Sequence, residues 1–300
     1  MTNHNRFLLG KKPKSISRKV VFVVAFILLL LYTLYVLFFF AFAFICATKT
    51  DNNQYTIDKI NDKLFGFEGG FNLKNFVTAF DQLESVLSGF SFVNMLWNSL
   101  WRTITSSVLS ILASSMVCYI LVFYRSKMTK FIYNLGLFVA VLPVYGSAGS
   151  SYRLMHNLGL INNPLNMFLS VTLYGGYFFY MYAFFKSLSW EYAEAAFVDG
   201  AGHFGVFFKI MFPMALPSVS ALFIMSFIAG WNDYESTLLH MNKYPNLAYG
   251  VYAFSENQKY VANMPGLFAG VLITLLPVLI LFLIFQNTIM EKVHLGGLKG

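Results

Sequence analysis

Residues 191–217, EYAEAAFVDGAGHFGVFFKIMFPMALP, place titratable side chains and glycines between two strongly apolar regions of the chain. Glu191, Glu194, Asp199, His203 and Lys209 lie within this stretch. Carboxylates and imidazoles can bind a metal ion, but metal sites need ligands at short, defined spacings. The five histidines are dispersed along the chain, at positions 4, 156, 203, 240 and 294. A metal site is therefore disfavoured, and the stretch needs another explanation.

The sequence also lacks the motifs of common hydrolytic chemistry. A GxxxxGK[ST] loop for nucleotide phosphates and an HExxH metalloprotease helix are both absent. The GSAGS stretch at 146–150 lacks the strand and helix that flank a nucleophile elbow. We therefore predict that the chain is not an enzyme and holds no cofactor of its own.

Composition indicates a membrane protein. Of 300 residues, 57% are hydrophobic and 11% are charged, whereas soluble domains carry about 25% charged residues. The net charge of +8 does not indicate a nucleic-acid groove, because six of the 21 basic residues lie in the first 19 positions, before the first apolar run. Cys46 and Cys118 both fall in apolar runs, which predicts buried thiols rather than a disulfide.

The apolar runs predict an all-α integral membrane protein with six transmembrane helices. The predicted spans are 20–48, 104–124, 131–151, 165–188, 214–231 and 265–289. Glycine and polar residues interrupt the third and fourth, which favours backbone that faces protein or a cavity. The six spans contain no charged residue in their cores, with Arg102 placed before the second and Asp233 after the fifth. A proton relay is therefore disfavoured, and a transport role requires energy from a partner.

Loop charges orient these spans. The positive-inside rule places the basic residues 1–19 and the tail 290–300 in the cytoplasm, and the loops 49–92 and 232–263 outside. Residues 71–80, FNLKNFVTAF, predict a short amphipathic helix on the outer surface. The core of five spans covers 93–289, and its segment 189–212 lies in the cytoplasm between the fourth and fifth spans.

We call residues 189–212 the elbow, because the pattern predicts a helix, a turn and a second helix there. The first helix carries Glu191 and Glu194 near one face and is expected to end at a left-handed Gly200. A second turn follows, and Pro213 suits the first turn of the next span. From the residues alone, a solvated connector resting on the bundle is an equally good interpretation.

The spacing of the elbow resembles the EAA–G–I-LP signature of bacterial ABC-importer permeases, with Phe212 where that family favours leucine. The resemblance implies a coupling helix seated in a cleft of a separate cytoplasmic ATPase, which binds ATP and magnesium. It implies that Glu194 pairs with a basic residue of that ATPase. The coupling residues that it assigns are Glu194, Ala195, Ala196, Asp199, Gly200, Ile210 and Pro213.

Further stretches resemble the carbohydrate-uptake permeases of the maltose-transporter type. They are LKNFVTAF, NSLWRTI, LGLINNPLNMFL, GWNDY and the terminal LGGLKG. In that family the tail belongs to one of two membrane subunits and reaches the ATPase dimer, which implies such a role for Gly297, Lys299 and Gly300. The implied partners are a sibling permease, two ATPase copies and an extracytoplasmic solute-binding protein, in a bacterial cell membrane.

The resemblance points to an oligosaccharide or related polyol as substrate. Aromatic and amide side chains could hold a sugar by stacking and hydrogen bonding, although tyrosine and tryptophan also anchor helices at membrane interfaces. The candidate residues of the substrate path are Tyr177, Tyr180, Trp231, Asn232 and Tyr234. Two alternatives stay open: an ABC permease for another solute, such as a peptide or amino acid, and a non-transport membrane scaffold.

Overall fold

The structure, a computed structural model, describes residues 16–66, 70–124, 126–142, 146–169, 171, 173–174, 176–257 and 263–293. Every regular element within these ranges is helical: α1 (Ile16–Ala47), α2 (Asn52–Ile60), α3 (Lys74–Val86), α4 (Phe92–Phe123), α5 (Lys127–Val141), α6 (Ala148–Asn157), α7 (Asn166–Leu169), α8 (Gly176–Ser187), α9 (Glu191–Val198), α10 (His203–Val206), α11 (Phe212–Trp231), α12 (Glu235–His240), α13 (Leu247–Asn257) and α14 (Met264–Val293). A π-helical turn, Phe207–Met211, joins α10 to α11. The predicted all-α class is confirmed over these residues.

Four stretches of the described chain are long and apolar enough to cross a membrane. They are Lys19–Ala47, Phe92–Phe123, His203–Trp231 and Met264–Ile284, and they match the predicted first, second, fifth and sixth spans. The protein is therefore a multi-pass membrane protein. However, α4 begins about three turns before the predicted second span, because the Ser91 hydroxyl accepts a hydrogen bond from the Asn94 amide and caps the helix there. Arg102, expected before the span, consequently lies inside the helix.

The structure does not confirm the predicted third and fourth spans. Residues 131–151 fall on α5, which has 15 residues, and on the start of α6. Gly146, two residues before α6, has a φ of 73°, which a continuous right-handed helix does not contain. Residues 165–188 fall on the short α7 and on the 12-residue α8. At 1.5 Å per residue α5 and α8 are about 22 and 18 Å long, short of the ~30 Å hydrocarbon core.

Helix α4 is the central element of the bundle and packs against α8 and α11. Ser99, Thr103, Ser107 and Ser114 are buried along it at near-helical spacing. A Cβ at Gly230 of α11 would lie 3.2 Å from the Thr103 methyl carbon, which shows how closely the two helices approach. Small residues at such positions let helix backbones come close where the hydrophobic effect supplies little drive.

Two apolar clusters lie at opposite ends of α4. The first surrounds its C-terminal half and includes Cys118, Phe185 and Phe207. The second surrounds its N-terminal half and includes Met95 and Trp231, with residues of α3 and α13. Both cysteines are buried free thiols, as the sequence predicted. A one-sided helix is present where the amphipathic helix was predicted, although it covers Lys74–Val86 rather than 71–80, because α3 buries Ala79 and Leu83 on one face. Its position on the outer surface stays a prediction.

Candidate functional site

The turn that ends α9 has the geometry predicted from the sequence. Gly200 has a φ of 83°, in the left-handed region. Its amide donates to the Phe197 carbonyl at 3.0 Å, and the Ala201 amide donates to the Ala196 carbonyl at 2.9 Å. These two bonds form a Schellman motif, which satisfies the last carbonyls of the helix. Nothing lies within 4 Å of a Cβ placed on Gly200, so backbone conformation alone requires a glycine.

The two alanines of the signature, Ala195 and Ala196, differ in burial. Ala193 and Ala196 are buried in the cluster around the C-terminal half of α4, whereas Glu194, Ala195 and Val198 are exposed, the last to 84%. Residues three apart share a helix face, so Ala193 and Ala196 turn inward together. Of the two alanines that the resemblance assigns to coupling, only Ala195 therefore lies on the exposed surface of α9.

An aromatic platform holds the elbow against the C-terminal end of α4. Trp190 stacks on Phe123 with ring centroids 5.1 Å apart and an angle of 30° between the rings. Phe197 lies edge-on to His203 at 5.0 Å, and the Tyr124 hydroxyl lies 2.5 Å from Nδ1 of His203. Aromatic pairs of this kind contribute about 0.5–1.5 kcal/mol each beyond their burial. The exposed face of α9 is therefore presented by a rigid support.

The second arm of the elbow runs directly into the next long helix. The Phe212 amide bonds to the Phe207 carbonyl, five residues back, which is the π-helical pattern. Pro213 follows as the second residue of α11, where its missing amide donor costs little. Pro213 thus lies in the first turn, as predicted, but the helical path is continuous from His203. Ile210, in the π turn, is half-buried against the first cluster.

The acidic face of the elbow has no cationic partner in the described part of the chain. Glu191, Glu194 and Asp199 are exposed, and the ion pair that the structure describes joins Lys49 to Asp58 instead. Glu191 and Glu194 lie in the first turn of α9, where the helix dipole favours a negative charge. The elbow therefore presents an unpaired acidic face on a rigid support, the arrangement needed to pair with a basic surface of another molecule.

Three of the five predicted substrate-path residues line one cavity at the other end of the bundle. The cavity, of about 430 Å³, is bordered by Trp231, Asn232 and Tyr234 together with residues of α13 and α14. Tyr234 stacks on Tyr252 with centroids 4.5 Å apart and 14° between the rings. The Trp231 indole is buried and donates to the Thr274 carbonyl at 3.1 Å, so its N–H is already used within the chain.

The other predicted residues do not join this cavity. Tyr177 packs against the first cluster, and Tyr180 is 62% exposed on α8. Gly297, Lys299 and Gly300 lie outside the described residues. Sequence reasoning missed Tyr252, although TLLHMNKYPNLAYGVYAF contains tyrosines at 249 and 252 near one helical face.

Arg102 holds the segment 236–244 on α4. One guanidinium nitrogen donates to the Thr237 hydroxyl at 2.6 Å and to the Tyr244 carbonyl at 3.1 Å, and the other donates to the Ser236 hydroxyl at 3.2 Å. Together with Asp233 and Ser236, Arg102 borders a small polar cavity of about 110 Å³. Burial lowers the pKa of His240, which also borders this cavity. Sequence reasoning gave Arg102 no role.

Comparison of the sequence with models of known protein families finds a match that covers the elements described above. Residues 128–293, which include the elbow and the cavity-lining α11, α13 and α14, match the model of the binding-protein-dependent transport system inner membrane component. The chain belongs to this family. It is consequently an ABC-importer permease and not an enzyme.

Three named relatives are 27–31% identical to this permease over the residues that align. A diacetylchitobiose uptake system permease protein of Streptomyces coelicolor is 30% identical over 67% of this chain and 68% of its own length. An arabinooligosaccharides transport system permease protein of Halalkalibacterium halodurans is 31% identical, over 73% and 80% respectively. A melibiose/raffinose/stachyose import permease protein of Bacillus subtilis is 27% identical, over 78% and 83%.

A solved structure supports the fold. The permease superposes on one chain of a bacterial ABC transporter involved in the import of the acidic polysaccharide alginate, with a TM-score of 0.69. The match covers 92% of this permease and 99% of that chain, at 18% identity. The comparison therefore shows a common arrangement of helices.

Proposed function

We propose that this permease forms one half of the translocation channel of an oligosaccharide importer in a bacterial cell membrane. The named substrates of its relatives, diacetylchitobiose, arabinooligosaccharides and the melibiose–raffinose–stachyose group, support a carbohydrate. A sibling permease completes the channel, and an extracytoplasmic binding protein delivers the sugar. The chain crosses the membrane six times, with both termini and the elbow in the cytoplasm, as the loop charges favour. Since α5 and α8 are each too short alone, α5 together with α6 makes the third crossing, and α7 together with α8 makes the fourth.

Coupling to a separate ATPase occurs at the elbow. The observation that carries this proposal is that Glu194 and Asp199 are exposed and, in the described part of the chain, have no cationic partner, on a helix held by the aromatic platform. Glu194, Ala195, Asp199 and Gly200 contact the ATPase, whereas Ala196, Ile210 and Pro213 shape the elbow from within. ATP and magnesium bind to that partner, and the terminal Gly297, Lys299 and Gly300 reach it as well. Closure of the ATPase dimer moves the elbow and alternates access to the channel, because ATP binds the two conformations differently.

The sugar passes the cavity beside Tyr234 and Tyr252. Their stacked rings offer an aromatic surface for a pyranose ring, and the Asn232 side chain, whose amide nitrogen donates to the Ile228 carbonyl at 2.9 Å, keeps its oxygen as an acceptor. Trp231 supports the cavity wall from its buried position.

A charge-reversal pair tests the coupling proposal. Glu191→Lys and Glu194→Lys change the same exposed helix by the same charge, one turn apart. We expect both variants to insert and to copurify with the sibling subunit, and only Glu194→Lys to lose most of the ATPase stimulation by sugar-loaded binding protein. A basic-to-acidic substitution in the ATPase cleft should restore it. Normal stimulation in Glu194→Lys, or equal losses in both variants, would contradict the assignment of Glu194.

A further inference from the structure

A second large cavity lies between α4, α5 and α8, directly beside the elbow. Its volume is about 740 Å³, and Trp190 borders it. Two lysines line it, Lys130 from α5 and Lys186 from the end of α8, without a carboxylate among the lining residues. In the described part of the chain, neither lysine forms an ion pair. The cavity therefore has a positive charge that nothing in these ranges neutralises.

The remaining polar lining is neutral. Tyr133 and Tyr182 stack at 4.6 Å with 28° between their rings, and Asn134 lies along the same wall, where its amide can donate to an anion. The Thr129 hydroxyl also borders the cavity but donates to the Ser126 carbonyl. Two ammonium groups with neutral donors and no acid select a negatively charged ligand, and lysine binds phosphate as a point charge. The volume exceeds by far the ~30 Å³ that one water molecule occupies, so it suits a larger occupant than a simple ion.

We propose that this cavity binds the phosphate-bearing headgroup of an anionic lipid. The proposal rests on the orientation given above, which puts the elbow side in the cytoplasmic leaflet, where anionic lipids attract basic residues. Leu121, Val122 and Leu188 provide the apolar part of the lining, against which the glycerol and upper acyl carbons lie. Tyrosine and tryptophan at this depth are typical of the membrane–water interface.

Occupancy of this cavity bears on the elbow. Trp190 belongs both to the cavity lining and to the stack on Phe123 that supports α9. A bound headgroup fills the space behind that stack and restricts the motion of Trp190. Binding of an anionic lipid in this cavity therefore regulates the mobility of the elbow.

Native mass spectrometry of the purified full chain tests the proposal, with phosphatidylglycerol, phosphatidylcholine or inorganic phosphate added separately. Wild type should retain phosphatidylglycerol in preference to phosphatidylcholine. The double variant Lys130→Gln/Lys186→Gln should lower that retention about 25-fold, since each basic residue near an anionic lipid contributes about fivefold. The control Lys127→Gln/Lys209→Gln removes the same charge from exposed positions outside the cavity and should stay within about twofold of wild type.

Equal retention of the two lipids by wild type, or equal losses in the two double variants, would overturn the proposal. Displacement of phosphatidylglycerol by millimolar inorganic phosphate would assign the same phosphate chemistry to a soluble ligand instead. All four lysines are exposed, so the variants should fold normally, as size-exclusion elution verifies. The readout involves neither transport nor ATPase activity, so its failure is distinguishable from failure of the importer proposal.

Discussion

Gly200→Ala isolates the backbone requirement of the elbow. A left-handed conformation costs an L-residue with a Cβ about 1–2 kcal/mol. Gly200 has a φ of 83°, and its added methyl would meet no atom within 4 Å, so that strain is the whole expected cost. Such a cost corresponds to about a 5–30-fold change in an equilibrium constant. It falls on the C-terminal turn of α9, whose last carbonyls depend on the Schellman bonds.

Gly205→Ala is the matched control. Gly205 lies inside α10, its added Cβ also meets nothing within 4 Å, and its φ is not in the left-handed region. Alanine in a helix interior is favoured over glycine by about 0.5–1 kcal/mol. The same chemical change is therefore predicted to act with opposite sign five residues further along. Gly200→Asn should fall between wild type and Gly200→Ala, because asparagine tolerates the left-handed region.

Hydrogen exchange of the peptide covering residues 191–206 measures the effect. Protection of the amides that close the turn, those of Gly200 and Ala201, should fall about 5–30-fold in Gly200→Ala, in line with the strain, and stay equal or rise in Gly205→Ala. Unchanged protection in Gly200→Ala, or the same loss in both variants, would refute the argument that backbone conformation fixes this glycine.

Three further predictions concern the end of the bundle opposite the elbow. Lys49→Met leaves Asp58 buried without its cation and should cost about 3–5 kcal/mol of stability, whereas Lys49→Met/Asp58→Leu should recover most of the loss, as thermal unfolding checks. The hydrogen bond from Lys49 lowers the pKa of Asp58. The stability that the ionised Asp58 contributes is therefore complete above about pH 4 and is lost as the pH falls below that value. Wild type should accordingly lose more thermal stability than Asp58→Asn between pH 6 and pH 3. Arg102→Lys cannot reproduce the forked contacts and should raise exchange of residues 235–246 about 10-fold or more, because hydrogen bonds to a charged group contribute about 1.5–3 kcal/mol.

The elbow was predictable because its determinants are local. Gly200 ends α9 and Pro213 lies in the first turn of α11, and each of these effects depends only on residues within one or two helical turns. The spacing of the residues in the sequence therefore predicts both helix boundaries. The inward turn of Ala196 was not predictable in the same way. Adjacent positions such as Ala195 and Ala196 differ little in their direction around the helix axis. Contacts with residues far away in sequence therefore decide which of them the bundle covers.

The outer end of the bundle was harder to predict for the same reason. Arg102 bonds to side chains 134 and 135 residues further along the chain, and no local pattern encodes that distance. The contact of Tyr234 with Tyr252 likewise requires α12 and the loop after it to fold back on α11. Similarly, composition alone predicted six spans, but runs interrupted by glycine, such as the one before α6, do not reveal how the chain bends there.

Helix α4 links the two functional ends that the proposal assigns. Arg102 fixes the outer loop to one end, and Phe123 and Tyr124 support the elbow at the other. Residues 102 and 124 lie about 33 Å apart along a helix at 1.5 Å per residue. Because its backbone bonds are internal and its buried small side chains pack closely on α11, we expect α4 to move as a rigid rod. On the proposed coupling, a displacement of the elbow by the ATPase therefore reaches the segment held by Arg102 as a tilt of α4. Arg102→Lys loosens one end of this connection, and Trp190→Ala loosens the other. Each variant should reduce the ATPase stimulation by sugar-loaded binding protein without reducing sugar binding by the extracytoplasmic protein.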